Sequence, residues 1–146
     1  MPRNRRTISL VIAVTGLLAA GCGSQAVLEA TGQPPAVVEP IDGAAVQRVT
    51  LSDHAAQRIG IETAPVTAGD GGRSVVPAAA VLYDASGKTW VYTNPVGHVF
   101  VRAQIGIAQI KGDKALLSLG PAPDTLVVTV GVAELYGAET GVGDHE

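Results

Sequence analysis

Apolar and polar side chains alternate most clearly between residues 98 and 105. Val99, Val101, Ala103 and Ile105 would share one face of an extended strand. The opposite face would carry His98, Phe100, Arg102 and Gln104. This period of two is typical of an antiparallel strand with one buried face. We therefore expect replacement of Ile105 or Trp90 by alanine to cost about 2 to 5 kcal/mol where the side chain is buried.

Shorter apolar runs on both sides of this segment predict further strands, separated by Gly-, Asn-, Asp- and Pro-rich turns. These runs are 46–51, 61–66, 74–76, 79–83, 89–93, 108–111, 115–119 and 126–130. Ser52 or Asp53 is suited to start a short helix through Arg58, and Gly60 to end it. A closing helical turn is predicted over 132–136. The pattern indicates a mainly β fold, a small antiparallel β-roll or barrel with one or two short helical turns.

The flanks of this domain lack a sustained apolar period. Residues 22–45 contain Pro34, Pro35 and Pro40 with several glycines, and they predict a flexible tether after position 22. The folded domain is predicted over 46–136, and 137–146 is predicted to be a disordered tail.

The first 21 residues have the layout of a secretion signal. Three arginines precede an apolar run from Ile8 to Ala20, and small residues lead to Cys22. The 13-residue run would reach roughly 20 Å as a helix, short of the roughly 30 Å hydrocarbon layer that a permanent span must cross.

The sequence Leu-Leu-Ala-Ala-Gly-Cys at 17–22 resembles a bacterial lipobox, in which the cysteine thiol is lipidated and becomes the new N-terminus. An ordinary secreted protein is the alternative. It leaves Cys22, the single cysteine of the chain, unexplained. The predicted location is the outer face of the cell membrane, with the lipid chains as anchor.

Removal of the signal changes the charge balance, because three arginines leave and every acidic residue stays. The processed chain has seven basic and thirteen acidic residues, a net charge of −6. This balance argues against nucleic acid as a partner and against electrostatic binding to anionic lipid.

Motifs for catalysis or cofactor binding are weak. Gly87-Lys88-Thr89 matches the last residues of a phosphate-binding loop. The earlier glycine that such a loop requires is missing, and the residues that follow predict a strand where a helix is required. Asp53-His54 and Asp144-His145-Glu146 lie at opposite ends of the chain, so a shared metal site is disfavoured. The sequence shows no nucleophile elbow and no carboxylate pair by spacing. It predicts a non-enzyme without cofactor or metal, and His98 beside Phe100 is interpreted as a partner surface or a plain rim.

Three ordered stretches resemble the periplasmic adaptor subunits, or membrane fusion proteins, of RND-type efflux pumps. They are LSDHAAQRIGIETAPV at 51–66, VVPAAAVLYDASGKTWVYT at 75–93, and a third running from Phe100 through the turn at 110–115 to Gly131. Together they cover most of 51–136 in the order found in the family. In the family a long insertion, which holds the lipoyl-like halves, the helical hairpin and most of the barrel, separates the first two stretches; here residues 67–74 alone join them.

The resemblance therefore implies the membrane-proximal domain of an adaptor, without the hairpin that reaches an outer channel. It implies a lipid-anchored accessory subunit that docks on an inner-membrane transporter of the efflux class. The alternative is a free-standing envelope lipoprotein that binds a small ligand or a cell-envelope component. An adjacent transporter gene would favour the first.

Overall fold

A computed structural model describes residues 33–141. Within this range it has ten strands and two α-helices. The strands are β1 Ala36–Pro40, β2 Gln47–Leu51, β3 Glu62–Pro65, β4 Thr67–Ala68, β5 Ser74–Pro77, β6 Leu82–Tyr83, β7 Thr89–Val96, β8 Val99–Lys111, β9 Lys114–Leu119 and β10 Leu126–Val130. The helices are α1 Asp53–Ile59 and α2 Val132–Thr140, with 3-10 turns at Asp70–Gly72 and Ala78–Ala80.

The strands form a nearly closed antiparallel barrel. Seven of them follow the order β3-β10-β7-β8-β9-β5-β4, while β1 pairs with β2, β2 also pairs with β8, and β6 pairs with β7. β3 and β4 are consecutive in the chain and separated only by Val66, so the two ends of the sheet meet at this residue. The Val66 N–H donates to Thr125 O at 2.8 Å, and Asp124 N–H donates to Val66 O at 2.8 Å, where the chain changes partner from β10 to β5. The predicted mainly β, barrel-like fold with short helices is confirmed.

The central strands of the barrel are covered on both faces. One face lines the barrel interior cluster, whose buried members are Val66, Val76, Ala80, Val91, Ile105, Ala115, Leu117 and Val127. The other face lies under the two helices, in the outer cluster of Val49, Leu51, Ala55, Ala56, Tyr92, Phe100, Val128 and Leu135. Neighbours such as Val91 and Tyr92 belong to different clusters because successive strand residues point to opposite faces. β7, β8 and β10 therefore separate two apolar layers.

The predicted alternation of residues 98–105 between the two faces of a strand is confirmed. The prediction that only one of these faces is buried is wrong. Ile105 is buried in the barrel interior cluster and Phe100 in the outer cluster. Helices α1 and α2 cover the face that the sequence pattern left to solvent. The two strands predicted at 98–105 and 108–111 are one long strand, β8, with register irregularities around Ile107 where it passes from β7 to β9.

Helix α1 begins and ends as its sequence predicts. The Ser52 hydroxyl accepts from the Ala55 N–H at 3.2 Å. Gly60 takes the left-handed conformation with φ 72°, and its N–H closes the helix by donating to Ala56 O. Ala55 and Ala56 then face the outer cluster.

The prediction of a flexible tether through residue 45 is wrong for residues 36–40. β1 pairs with β2 in antiparallel register from Ala36 opposite Leu51 to Pro40 opposite Gln47. Val38 packs against the outer cluster. The prolines suggested a tether, but proline is tolerated at the end of an edge strand, where its missing N–H leaves no partner unpaired.

The predicted disordered tail is also wrong for residues 137–140. α2 continues through Gly137 to Thr140, and Gly141 ends it with φ 69°. Gly131 precedes the first helical residue, Val132. Its φ of 93° suits glycine, and a Cβ atom there would collide with the Ile61 Cδ1 atom. Buried contacts of Glu139 hold the final turn, as described below.

The strand predicted at 79–83 is mostly absent. Residues Ala78–Ala80 form a 3-10 turn, and only Leu82–Tyr83 pair with β7. Three consecutive alanines have no β-branched side chain to favour a strand, and Ala80 fits the barrel interior at 0% exposure.

Candidate functional site

The predicted lipidation residue, Cys22, lies outside the described residues. The same holds for the predicted signal over 1–21 and for Asp144, His145 and Glu146. Within 33–141, no helix is long and apolar enough to cross a membrane.

The histidine at the β7–β8 turn pairs with the start of α1. His98 Nδ1 lies 3.1 Å from Asp53 Oδ1, with the Asp53 side chain fully exposed. Between residues 33 and 141 no three His, Cys, Asp or Glu side chains group so as to hold a metal ion. The pair connects two surface elements.

Phe100 is not part of a partner surface, contrary to the sequence interpretation. It is 1% exposed and packs in the outer cluster, while His98 remains partly exposed. The physical reason is that α1 and α2 lie over this face of β8, with Ala55 and Leu135 in the same cluster. Val49 of the neighbouring strand β2 lies directly beside Phe100 in the sheet.

The principal polar site of the described domain centres on Glu139, near the end of α2. Its Oε1 atom accepts from Arg102 Nη2 at 3.0 Å and from the backbone N–H of Gln47 at 3.2 Å. Its Oε2 atom accepts from the Tyr92 hydroxyl. The Glu139 side chain is 2% exposed and that of Arg102 is 11% exposed, so this ion pair is buried. One carboxylate thereby connects α2 with β2, β7 and β8.

Arg102 is also enclosed by aromatic rings. Its guanidinium carbon lies 4.4 Å from the centroid of the Trp90 ring and 5.4 Å from that of Tyr136. Such placement stabilises a cation through the negative face of each ring. The Nε atom of Arg102 is buried with no hydrogen-bond partner among residues 33–141.

A surface turn extends this network to the outside. Trp90 Nε1 donates to Asp84 Oδ2 at 2.9 Å, and Asp84 Oδ1 accepts from the N–H groups of Ser86 and Lys88 at 2.8 and 2.9 Å. Hydrogen bonds, the Ser86 hydroxyl first among them, lower the pKa of Asp84 from 3.8 to about 2. The turn at 84–88 therefore holds Trp90 in place beneath Arg102.

The electrostatics of the buried site favour the neutral phenol at Tyr92. Burial, and then the hydrogen bond to the Glu139 carboxylate, raise the pKa of Tyr92 above its ordinary value of 10. The hydroxyl thus remains a donor at neutral pH. Glu139 accepts from three donors and its side chain is 2% exposed, so the arrangement fixes the position of α2.

Three open grooves lie beside α1. One, of about 790 Å³, is lined by Gln33, Pro35, residues 51–54 and Arg58. Of the other two, the first, of about 530 Å³, has polar groups from Asp53, Gln57, Thr63, Asn94 and His98. The second, which we call the helix groove, has about 630 Å³ and lies between β1, α1 and α2. Its wall is mainly apolar, with Pro34, Pro35, Val38, Ile59 and Ala138, and it also contains Arg58 and Glu134.

Sequence reasoning missed the Arg102–Glu139–Tyr92 network because it placed Glu139 in a tail. A local signal was present: Leu135, Tyr136 and Glu139 are spaced to share one face of a helix. Tyr92 and Arg102 are direct partners in the β7–β8 register, a relation that a hairpin prediction could have supplied.

Comparisons of the chain with protein-family models, with curated proteins and with solved structures give no match.

Proposed function

We propose that this chain is an exported lipoprotein, lipidated at Cys22, whose β-barrel domain docks without catalysis on an inner-membrane transporter of the efflux class. The lipobox-like sequence at 17–22 supports the anchor. The ordered resemblance of 51–136 to efflux adaptors supports the transporter. Confinement of both proteins to one membrane raises the effective concentration of a weakly bound partner.

The observation that carries the proposal is the filled barrel. Its interior is occupied by Val, Ile, Leu and Ala side chains that are 0 to 3% exposed. A barrel of this kind has its recognition chemistry on the outer surface. Surface contact with a larger partner is the activity that such a surface supports.

A second candidate is a free-standing envelope lipoprotein that binds a small ligand. The polar groove near His98 favours it, since about 530 Å³ falls in the usual size range of small-ligand sites. Asn94 and His98 would then contact the ligand directly.

Acyl labelling tests the anchor. The full chain should incorporate a labelled fatty acid, and the Cys22→Ser variant should not, since the thiol is the attachment atom. A matched Ser24→Ala variant should be labelled like the wild type. Label that persists on Cys22→Ser would contradict lipidation at this residue.

Co-purification in mild detergent tests docking. The lipidated chain, isolated from its own membranes after crosslinking in the cell, should carry a transporter identified by mass spectrometry. Recovery as a monomer without a membrane partner would contradict docking. Ligand binding by that monomer, lost in an Asn94→Ala variant, would establish the second candidate.

A further inference from the structure

Helix α2 is attached to the strands by the polar contacts of a single side chain. Within residues 33–141, every hydrogen bond or ion pair that joins α2 to a strand uses the Glu139 carboxylate. The donors are Tyr92 of β7, Arg102 of β8 and the Gln47 N–H of β2. Loss of these three contacts would leave α2 held by side-chain packing alone.

The packing of α2 involves only the outer of the two apolar layers. Leu135 is fully buried in the outer cluster, and Val132, Tyr136 and Ala138 pack against that cluster. No residue of α2 belongs to the barrel interior cluster or to the partly buried side chains that pack against it. Departure of α2 would therefore remove contacts from the outer cluster and leave the barrel interior filled.

The sequence of α2 does not favour a helix without the sheet beneath it. The helix has nine residues and includes Gly137, and isolated helices of this length are marginal in water. No side chain caps its N-terminus. Glu139 places a negative charge in the last turn, where the helix dipole opposes it. α2 therefore has two favourable states, helical when docked on the sheet and unfolded when undocked.

Helix α1 differs in that the sheet fixes both of its ends. It follows β2, which pairs with β1 and β8, and it precedes β3, which pairs with β10. Among the described residues, α2 has a paired strand on one side only, namely β10. Undocking of α2 breaks no strand pairing of the described domain, whereas undocking of α1 would pull on two strands.

We propose that α2 is a latch over the outer cluster, which undocks and unfolds as one unit while the barrel stays folded. The Glu139 carboxylate holds the latch closed. Opening uncovers Tyr92 and the guanidinium of Arg102, whose side chain is 11% exposed in the closed state. The open state thus presents an apolar face with a cation that the closed state conceals. This inference goes beyond the proposed function and does not depend on it.

Amide hydrogen exchange of the full-length protein, measured by mass spectrometry at constant pH, tests the latch. Peptides from α2 report on its opening. Peptides from β9, which is bonded to β5 on one side and β8 on the other, report on unfolding of the barrel. After correction for the intrinsic rate of each amide, α2 should exchange about ten-fold faster than β9, or more, because local opening costs less free energy than global unfolding.

Two substitutions at the carboxylate should open the latch selectively. Tyr92→Phe removes one donor to Glu139 and should speed exchange of α2 by about ten-fold, with the rate of β9 unchanged. Glu139→Gln removes the charge that pairs with Arg102 and should speed exchange of α2 further. Tyr83→Phe is the matched control, because it removes the same atom from a tyrosine that is 58% exposed, and it should change neither rate.

A substitution in the barrel interior should have the opposite selectivity. Ile105→Val should speed exchange of β9 several-fold and leave the rate of α2 unchanged, since α2 opens without the barrel. Equal exchange of α2 and β9 in the wild type, or a common increase of both rates in Ile105→Val, would overturn the latch. An unchanged rate of α2 in both Tyr92→Phe and Glu139→Gln would overturn the role of the carboxylate. Loss of protection in β9 in these two variants would also overturn the proposal, because the barrel would then require a docked α2.

Discussion

The barrel interior and the layer outside it are built from the same strands but by different chemistry. The eight buried residues of the interior cluster are all aliphatic. The outer layer contains Tyr92 and Phe100, and beside them the buried ion pair of Arg102 and Glu139. A single strand such as β7 contributes to both, with Val91 inside and Tyr92 outside.

The two layers therefore stabilise the fold in different ways. In the interior, stability depends on filled volume, so a change of size matters and a change of shape at constant size matters less. In the outer layer, each buried polar group depends on a named partner, because an unpaired buried charge is strongly unfavourable. The position of α2 depends on this second kind of interaction.

The largest effect should come from removing one member of the ion pair. Glu139→Ala leaves the Arg102 guanidinium buried without its carboxylate, and we expect the free energy of unfolding to fall by about 3 to 5 kcal/mol. Denaturant unfolding of the protein, followed by circular dichroism, measures this. Glu134→Ala on the exposed face of α2 should change stability by less than about 0.5 kcal/mol. A loss below about 1 kcal/mol for Glu139→Ala would mean that the outer layer does not depend on the pair.

The interior should respond to lost volume. Ile105→Ala removes buried methylene and methyl groups and should cost about 2 to 5 kcal/mol, whereas Ile105→Val should cost about 0.5 to 1.5 kcal/mol. Ile110 of the same strand is 48% exposed, so Ile110→Ala is the matched control and should have a small effect in the same unfolding measurement. Equal losses at positions 105 and 110 would contradict the assignment of the interior.

Local patterns predicted the parts of the fold that local physics determines. The alternation at 98–105 gave the correct faces of β8, and Ser52 and Gly60 gave the ends of α1, because period and capping depend on neighbouring residues. They could not show that a second layer covers Phe100. That layer comes from α1 and α2, one well before β8 in the chain and the other well after it.

Strand β1 and the last turn of helix α2 are features that local sequence patterns did not predict. Pro34, Pro35 and Pro40 indicated a tether, yet β1 forms because it has β2 as a partner. The spacing of Leu135 and Glu139 could have placed Glu139 on a helix face, but Arg102 and Gln47 are 37 and 92 residues away from it, so no local pattern could identify them as its partners. Lipidation at Cys22 and docking on a transporter stay predictions.

A double-mutant cycle measures whether Tyr92 and Glu139 stabilise the outer layer jointly or independently. Tyr92→Phe, Glu139→Gln and the double variant should show a coupling free energy of about 1 to 2 kcal/mol, within the range of residues in one hydrogen-bonded network. The unfolding free energies of the four proteins give the coupling directly. A coupling near zero would show that the phenol and the carboxylate act independently, as members of an aliphatic interior do.

The smallest expected effect is at the surface turn that supports Trp90, and it is measured as a change of stability with pH. The pKa of Asp84 is lowered from 3.8 in the unfolded reference to about 2 in the folded protein. The folded state therefore binds this proton less readily, so the contribution of Asp84 to stability is present above about pH 4 and is lost as the pH falls toward 2. Asp84→Asn lacks this titration, so its stability difference from the wild type should shrink over that interval. The stability difference between wild type and Asp113→Asn, a substitution in another exposed turn, corrects for general acid effects. Unfolding midpoints measured from pH 6 to pH 2 test this, and a constant difference between wild type and Asp84→Asn would show that the turn holds Trp90 without its carboxylate charge.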